Sequence, residues 1–153
     1  MGRIKTDIGK PLAVVDSNII IYAMTIDARE KRSHEACLNL IDRGFKGQLD
    51  YILALNDLIV VEVFSALRKL LSPVEAESRV SLLLRSRRIA YLSISSEECE
   101  VAIKWAKIKN VPVNDALIAA NTARHAELIF TADEEHFRHL EEFGVKLVNP
   151  LKK

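Results

Sequence analysis

Five short apolar segments alternate along the chain with longer segments of helical periodicity, and this alternation constrains the fold more than any other feature. Short apolar runs bounded by polar turns are typical of strands, whereas apolar residues spaced three and four apart are typical of helices. Strands joined by helices in this order pair in parallel, and the helices cover both faces of the sheet. The predicted strands are residues 12–15, 50–54, 89–94, 127–131 and 145–148. The predicted helices are residues 19–24, 29–43, 58–71, 74–88, 96–109, 113–124 and 134–142. We therefore predict an α/β fold with three layers, α/β/α, around a central parallel sheet.

The length and composition fit one compact domain. The chain has 153 residues, 49% of them hydrophobic, which is enough to bury a core without disulfides or metals. We predict a flexible leader at residues 1–11, a single domain at 12–150 and a tail at 151–153. The formal net charge of +1 means that a nucleic acid would have to bind a local basic face, because the whole protein is not strongly basic.

The cellular compartment is predicted from two further observations. No apolar run approaches the ~18–20 residues that span a membrane, so we expect no membrane partner. The two cysteines, Cys37 and Cys99, form no CxxC pair and read as buried thiols in a reducing compartment. We therefore expect a cytoplasmic protein.

Two acidic residues directly follow predicted strands. Asp16 comes after strand 12–15, and Asp133 lies in the loop after strand 127–131. In a parallel α/β sheet the carboxyl ends of the strands border the crevice where ligands bind, so both carboxylates are well placed for chemistry. The plainer alternative is that Asp16 or Ser17, and likewise Asp133, only caps the helix that follows.

Two more acids lie on apolar helices. Glu62 sits in the apolar helix 58–71, where an unpaired charge is costly unless a partner, a proton or a metal neutralises it. A salt bridge is the plain alternative, and a site ligand is favoured. Asp115 lies in the first turn of helix 113–124, with Asn114 as the expected N-cap. The helix dipole alone would favour an acid there by ~0.3–1 kcal/mol.

The four acids share a character that points to a cation. Carboxylates that cluster repel one another, so they are tolerated together only when protons or a cation neutralise them. The histidines are scattered and have no zinc-type spacing. Oxygen ligands favour Mg²⁺ or Mn²⁺, which are usually held by a few carboxylates, waters and substrate phosphate. The sequence therefore predicts metal-assisted phosphoryl transfer.

The segments DSNIIIY, EVFSALRK, NDALIAANTA and TADEEHF, in this order and at these intervals, resemble the four acidic motifs of PIN-domain nucleases, particularly the small VapC-type toxins. The similarity extends over residues 12–148. It implies that the catalytic and metal-binding acids are Asp16, Glu62, Asp115 and Asp133, and that the supporting polar positions are Ser17 or Asn18 and Thr131. Asn114 is added as a supporting residue beside Asp115, and Glu135 as a reserve ligand after Asp133, with Glu134 and His136 as alternatives at that place.

The resemblance also implies an activity and partners. Family members of this kind are Mg²⁺- or Mn²⁺-dependent endoribonucleases that hydrolyse RNA by a metal-activated water and leave a 5′-phosphate. The small toxins commonly form homodimers, and an antitoxin peptide that occupies the acidic groove keeps them inactive. Two alternatives stay open: a PIN endonuclease of RNA processing without an antitoxin, and a catalytically silent module that binds nucleic acid. The sequence leaves the RNA target and the number of metal ions undetermined.

Overall fold

A computed structural model describes residues 9–25 and 31–152. The strands are β1 Leu12–Val15, β2 Ile52–Asn56, β3 Ile89–Leu92, β4 Leu128–Phe130 and β5 Leu147–Val148. The α-helices are α1 Ser17–Met24, α2 Lys31–Phe45, α3 Asp57–Leu70, α4 Pro73–Arg85, α5 Ser96–Lys109, α6 Val113–His125 and α7 Glu134–Arg138. A 3₁₀ turn covers Glu141–Phe143. Most of the predicted leader, and the last residue of the predicted tail, lie outside the described residues, so the proposed domain limits remain predictions.

The strands form one sheet in the order β3-β2-β1-β4-β5, and every pairing is parallel. The chain moves outward from β1 to β3 and then returns to the other side of β1 with β4. Because parallel crossovers are right-handed, this reversal places helices on both faces of the sheet. The predicted three-layer α/β/α architecture is therefore confirmed. The reversal also opens a crevice at the carboxyl ends of β1 and β4, where ligands bind in folds of this type.

The central strands are apolar along their whole length because both faces are covered. Ala13 and Val14 of β1 and Ile129 of β4 are fully buried. The helices contribute one apolar side each, with Ile59 of α3 and Ile118 of α6 also buried in the core. Among the described residues, no helix combines the length and hydropathy needed to cross a membrane.

Several boundaries differ from the prediction. The helix expected over residues 74–88 ends at Arg85, because Ser86 adopts an extended backbone that leads into β3. The helix expected over residues 134–142 is interrupted after Arg138, and the following 3₁₀ turn ends at Gly144, whose φ of 96° suits glycine. The last strand has only two residues.

The predicted N-cap of α6 was wrong. The helix begins at Val113 with Pro112 in the cap position, and no side chain caps it. Asn114 lies in the first turn, where its side chain hydrogen-bonds the carboxylate of Glu62 instead. The amide therefore serves the neighbouring helix, not its own backbone.

A buried polar network, which the sequence did not predict, fastens α6 to the sheet and to α5. The side chain of Asn121 donates to Glu98 Oε1 at 2.8 Å and accepts from Asn56 Nδ2 at 3.0 Å. Asn56 also caps α3 by accepting from the backbone of Ile59, and His125 Nε2 lies 2.8 Å from Glu98 Oε2. Burial alone would raise the pKa of Glu98, but the hydrogen bonds from Asn121 and His125 outweigh it and the pKa is lowered. The network thus keeps a buried carboxylate ionised away from the crevice.

Candidate active site

Asp16 and Thr131 meet at the crevice because they extend neighbouring central strands by one residue. The backbone N–H of Asp16 donates to Phe130 O at 2.9 Å, so the β1–β4 pairing continues past Val15. Thr131 Oγ1 then donates to Asp16 Oδ2 at 2.7 Å. Asp16 also accepts from the backbone of Ser17 at 2.8 Å and so caps α1. The capping role therefore coexists with a position at the carboxyl edge of the sheet, where Asp16 is only 4% exposed.

Asn18 and Thr131 connect the two loops that border the crevice. Asn18 Nδ2 donates to Asp16 Oδ2 at 3.3 Å, and Asn18 Oδ1 accepts from the backbone of Ala132 at 3.2 Å. Thr131 Oγ1 accepts from the backbone of Asp133 at 3.0 Å. These contacts fix the loop after β1 against the loop after β4, and hold Asp16 and Asp133 on the same side of the sheet.

Glu62 reaches the same crevice from α3. Ser17 Oγ donates to Glu62 Oε1 at 3.1 Å, and the side chain of Asn114 provides a second hydrogen bond. None of the ion pairs found among residues 9–25 and 31–152 includes Glu62, so the salt bridge considered for it is not formed there. Its half-buried carboxylate is therefore held by neutral donors.

Asp115 and Asp133 converge on one histidine. His136 Nδ1 lies 3.0 Å from Asp115 Oδ2 and 3.1 Å from Asp133 Oδ2. Asp133 caps α7 by accepting from the backbone of His136, so the histidine stands three residues on, on the same side of the helix. One ligand atom from each of the three residues lies within 4.8 Å of the others, a spacing that could hold a metal ion.

The other two candidates after Asp133 lie elsewhere. Glu135 stays 84% exposed, with its carboxylate 4.0 Å from the outer nitrogen, Nε2, of His136. Glu134 pairs with Arg138 and Lys152 and accepts from Asn149. Residues one and two positions after Asp133 point to other sides of the helix, and only the third returns to its face. The sequence analysis gives Glu135 as the reserve ligand after Asp133, with Glu134 and His136 as alternatives. The three-residue spacing between Asp133 and His136 is the sequence signal that points to His136 instead.

The carboxylates closest to the sheet bind protons more readily than ordinary acids. Burial raises the pKa of Asp16 to about 7, although the hydrogen bonds from Thr131 and Ser17 oppose the rise, and the charges of Asp115 and Glu62 raise it further. Burial also raises the pKa of Glu62, against the hydrogen bonds from Ser17 and Asn114. The charges of these acids therefore act on one another across the crevice.

Nearby charges also shift the pKa values of Asp115 and His136. Burial raises the pKa of Asp115 to about 6, the charges of Asp133 and Glu62 raise it further, and His136 opposes the rise. The pKa of His136 is itself raised, first by its hydrogen bond to Asp133 and also by the charges of Asp133 and Asp115. The four predicted acids thus form one electrostatically coupled group, which we call the acidic cluster: Asp16, Glu62, Asp115 and Asp133.

This donor set fits a divalent cation. Carboxylates in a partly buried group raise one another's pKa values when no cation neutralises them, and a bound cation would reverse that effect. Oxygen donors suit Mg²⁺ and Mn²⁺, and an imidazole nitrogen adds a donor that suits transition ions. The neutral donors around the cluster, Ser17, Asn18, Asn114 and Thr131, orient carboxylate oxygens as supporting groups around metal sites do.

Solved structures share the fold of this chain. It is similar to VapBC2 from Rickettsia felis bound to a promoter DNA fragment, with 17% identity over 90% of this chain and 98% of that one, and a TM-score of 0.67. It is similar to Mycobacterium tuberculosis VapC20, described as a sarcin-ricin loop cleaving toxin, with 13% identity over 83% and 93% of the two chains and a TM-score of 0.65. A third is VapBC-1 from nontypeable Haemophilus influenzae, with 19% identity over 92% and 99% and a TM-score of 0.65.

No curated protein matches the chain significantly. The profile of the PIN domain family, however, matches residues 13–142, which include all four members of the acidic cluster. That match spans most of the chain and agrees with the all-parallel sheet and with the order of the four acids. The chain belongs to the PIN domain family.

Proposed function

We propose that this protein is a metal-dependent endoribonuclease of the VapC type, the toxin of a toxin–antitoxin pair. The observation that carries the proposal is the acidic cluster. Its four carboxylates come from four separate segments and lie at the crevice where the strand order reverses, at the carboxyl ends of β1 and β4. Burial raises the pKa values of Asp16, Glu62 and Asp115, and a bound cation would oppose that rise by stabilising the charged carboxylates. The similarity to VapC20, which is described as a sarcin-ricin loop cleaving toxin, supports RNA as the substrate that we propose.

In this proposal Asp16, Glu62, Asp115 and Asp133 hold Mg²⁺ or Mn²⁺ and are the catalytic acids. When bound, the ion would lower the pKa of a water and neutralise charge on the scissile phosphate. Thr131 and Asn18 orient Asp16 through their hydrogen bonds, and Ser17 and Asn114 do the same for Glu62. The chain's own contribution is thus to position oxygen donors before the substrate arrives.

The test is cleavage of structured and unstructured RNAs by the purified chain with Mn²⁺ or Mg²⁺. We expect cutting that disappears with EDTA and in Glu62→Gln or Asp115→Asn, with the fold preserved because both residues lie at the crevice and not in the core. The matched control is Glu97→Gln, an exposed acid on α5, which should cut normally. Full activity in Glu62→Gln or Asp115→Asn would remove that residue from the site.

The antitoxin is proposed as a partner that docks on α3 and α4. Solved neighbours are toxin–antitoxin complexes, and α3 carries Glu62 into the crevice. These two helices expose the large apolar side chains Val61, Leu70, Val74 and Leu82. Apolar side chains exposed together are typical of a protein interface. We propose that an apolar segment of the antitoxin covers them and closes the acidic groove.

Two measurements distinguish this partner from a processing endonuclease that has none. Expression of the chain should arrest growth, and co-expression of the neighbouring gene should relieve the arrest. Leu70→Asp should abolish the relief of growth arrest and keep RNA cleavage. Ile108→Asp, at an exposed position on α5, should keep both the relief and the cleavage. No arrest, or arrest that the neighbouring gene does not relieve, would favour the processing enzyme. An equal loss of relief in both variants would contradict docking on α3 and α4.

The assembly and compartment are proposals of the same kind. We propose a homodimer of the 17.2 kDa chain in the cytoplasm, where the free thiols Cys37 and Cys99 stay reduced. Light scattering should give about twice the mass of the chain.

A folded chain that cleaves no RNA with any divalent ion would favour a catalytically silent module that only binds nucleic acid.

A further inference from the structure

We propose that His136 is a metal ligand through Nδ1, and that this nitrogen biases the site toward a first-row transition ion such as Mn²⁺ over Mg²⁺. The inference rests on the proposed metal site at the acidic cluster and deepens it. It concerns the outer end of the cluster, where Asp115 and Asp133 face the histidine.

The spacing of the donor atoms carries the argument. Metal–donor bonds of ~2.1 Å at right angles place two neighbouring ligand atoms about 3.0 Å apart. Nδ1 of His136 stands 3.0 Å from Asp115 Oδ2 and 3.1 Å from Asp133 Oδ2. Nδ1 therefore lies at the separation expected of an adjacent ligand from each of the two carboxylate oxygens. One ligand atom from each of the three residues lies within 4.8 Å of the others, so one cation could be bound by all three.

The local structure holds this arrangement. Asp133 and His136 are fixed to each other because the carboxylate caps the helix on which the imidazole stands. The imidazole turns Nδ1 inward, and Nε2 faces outward to Glu135 at 4.0 Å. Histidines that bind metals commonly direct their second nitrogen to a carboxylate, which fixes the ring and makes the ligating nitrogen more basic. At 4.0 Å the exposed Glu135 is too far for a hydrogen bond, so it faces Nε2 only as a nearby negative charge.

The donor type sets the expected preference. Mg²⁺ binds oxygen almost exclusively and keeps several waters, whereas first-row transition ions accept imidazole nitrogen readily. A site with carboxylates alone would discriminate weakly between Mg²⁺ and Mn²⁺. Adding one nitrogen should strengthen Mn²⁺ binding more than Mg²⁺ binding.

A competing account predicts the opposite change in divalent-ion affinity when His136 is removed. His136 could act only as a cationic counter-ion for Asp115 and Asp133, with no bond to a metal. In that case its removal would leave two unscreened carboxylates, and divalent ions would bind more tightly. If His136 is a ligand, its removal weakens Mn²⁺ binding.

The experiment titrates the full chain with Mn²⁺ alone and with Mg²⁺ alone by calorimetry, in unaltered protein, His136→Ala and the matched control His139→Ala. His139 is exposed and lies directly after the last residue of α7. We expect His136→Ala to weaken Mn²⁺ binding on the order of ten-fold and Mg²⁺ binding much less, since loss of groups at metal sites typically costs 10–100-fold. His139→Ala should bind both ions normally. Unchanged or tighter Mn²⁺ binding in His136→Ala would overturn the inference.

A second readout can refute the inference on the unaltered chain alone. Pulsed electron paramagnetic resonance of Mn²⁺ bound to the chain labelled with ¹⁵N-histidine should show coupling to one nitrogen, and the coupling should disappear in His136→Ala. Bound Mn²⁺ without this coupling would overturn the inference even if the variant failed to fold. Neither readout depends on RNA cleavage, so the two proposals can fail separately. A chain that cleaves RNA but shows no nitrogen coupling would refute only His136 as a metal ligand. A chain that shows the coupling but cleaves no RNA would refute only the proposed function.

Discussion

Asp16→Asn should stabilise the protein in the absence of metal, although it removes a proposed catalytic acid. The pKa of Asp16 is about 7 in the fold, against 3.8 for an ordinary aspartate. Between these values the folded chain keeps a proton that the unfolded chain has released. The free energy of unfolding therefore falls as pH rises from about 4 through about 7. Asparagine carries no charge, so the variant escapes this loss.

The magnitude follows from the two pKa values and the local hydrogen bonds. A difference of roughly three in pKa corresponds to about 4 kcal/mol above pH 7, as an upper bound. The amide oxygen still accepts from the backbone of Ser17, but the amide nitrogen that replaces Oδ2 cannot accept from Thr131 or Asn18, and each lost hydrogen bond costs about 1 kcal/mol. We expect a net gain of about 1–3 kcal/mol, or a melting temperature higher by roughly 3–10 °C for a chain of this size.

The assay is thermal unfolding of Asp16→Asn and the unaltered chain in EDTA at pH 5 and pH 8, with the exposed Asp50→Asn as control. The gain should be largest at pH 8 and smaller at pH 5, where the folded aspartate is protonated. Added Mn²⁺ should stabilise the unaltered chain more than the variant, because binding to the fold raises stability by mass action. A variant that is no more stable at pH 8, or equally stabilised at both pH values, would refute the reasoning.

Two further substitutions test the frame that holds the crevice. Asn121→Ala should lower the free energy of unfolding, measured by urea titration, by about 2–4 kcal/mol, because it leaves buried Glu98 and Asn56 without their shared partner. A loss below about 0.5 kcal/mol would show that the network contributes little to stability. Gly44→Ala should cost about 1–3 kcal/mol by the same measurement, because its Cβ would lie 2.3 Å from Leu53 Cδ1; an unchanged midpoint would mean that Leu53 moves freely.

The sheet could be predicted because its signals are local and strong. Strands such as β1 and β4 are short, apolar on both faces and bounded by polar residues, which is the pattern that parallel strands require. Asp16 could be placed at the carboxyl edge because it directly follows β1. Glu62 could be singled out because a charge on an apolar helix needs a neutralising partner.

The remaining features depend on distant residues that no local pattern reports. Asn114 was expected to cap its own helix, yet its side chain serves Glu62, about fifty positions away in the chain. The Asn121–Glu98 contact likewise joins two helices whose separate sequences do not indicate it. His136 was one of three candidates until helix α7 fixed which side chain turns toward Asp115. Tertiary contacts decide such choices.

The most direct test of the central claim is the chemistry at the ends of the RNA products. A nuclease that uses a metal-activated water at the acidic cluster should leave 5′-phosphate and 3′-hydroxyl ends. These ends should appear with Mn²⁺ or Mg²⁺ and be absent with EDTA and in Asp115→Asn. Products that end in 2′,3′-cyclic phosphate, or cutting that survives EDTA, would contradict the account.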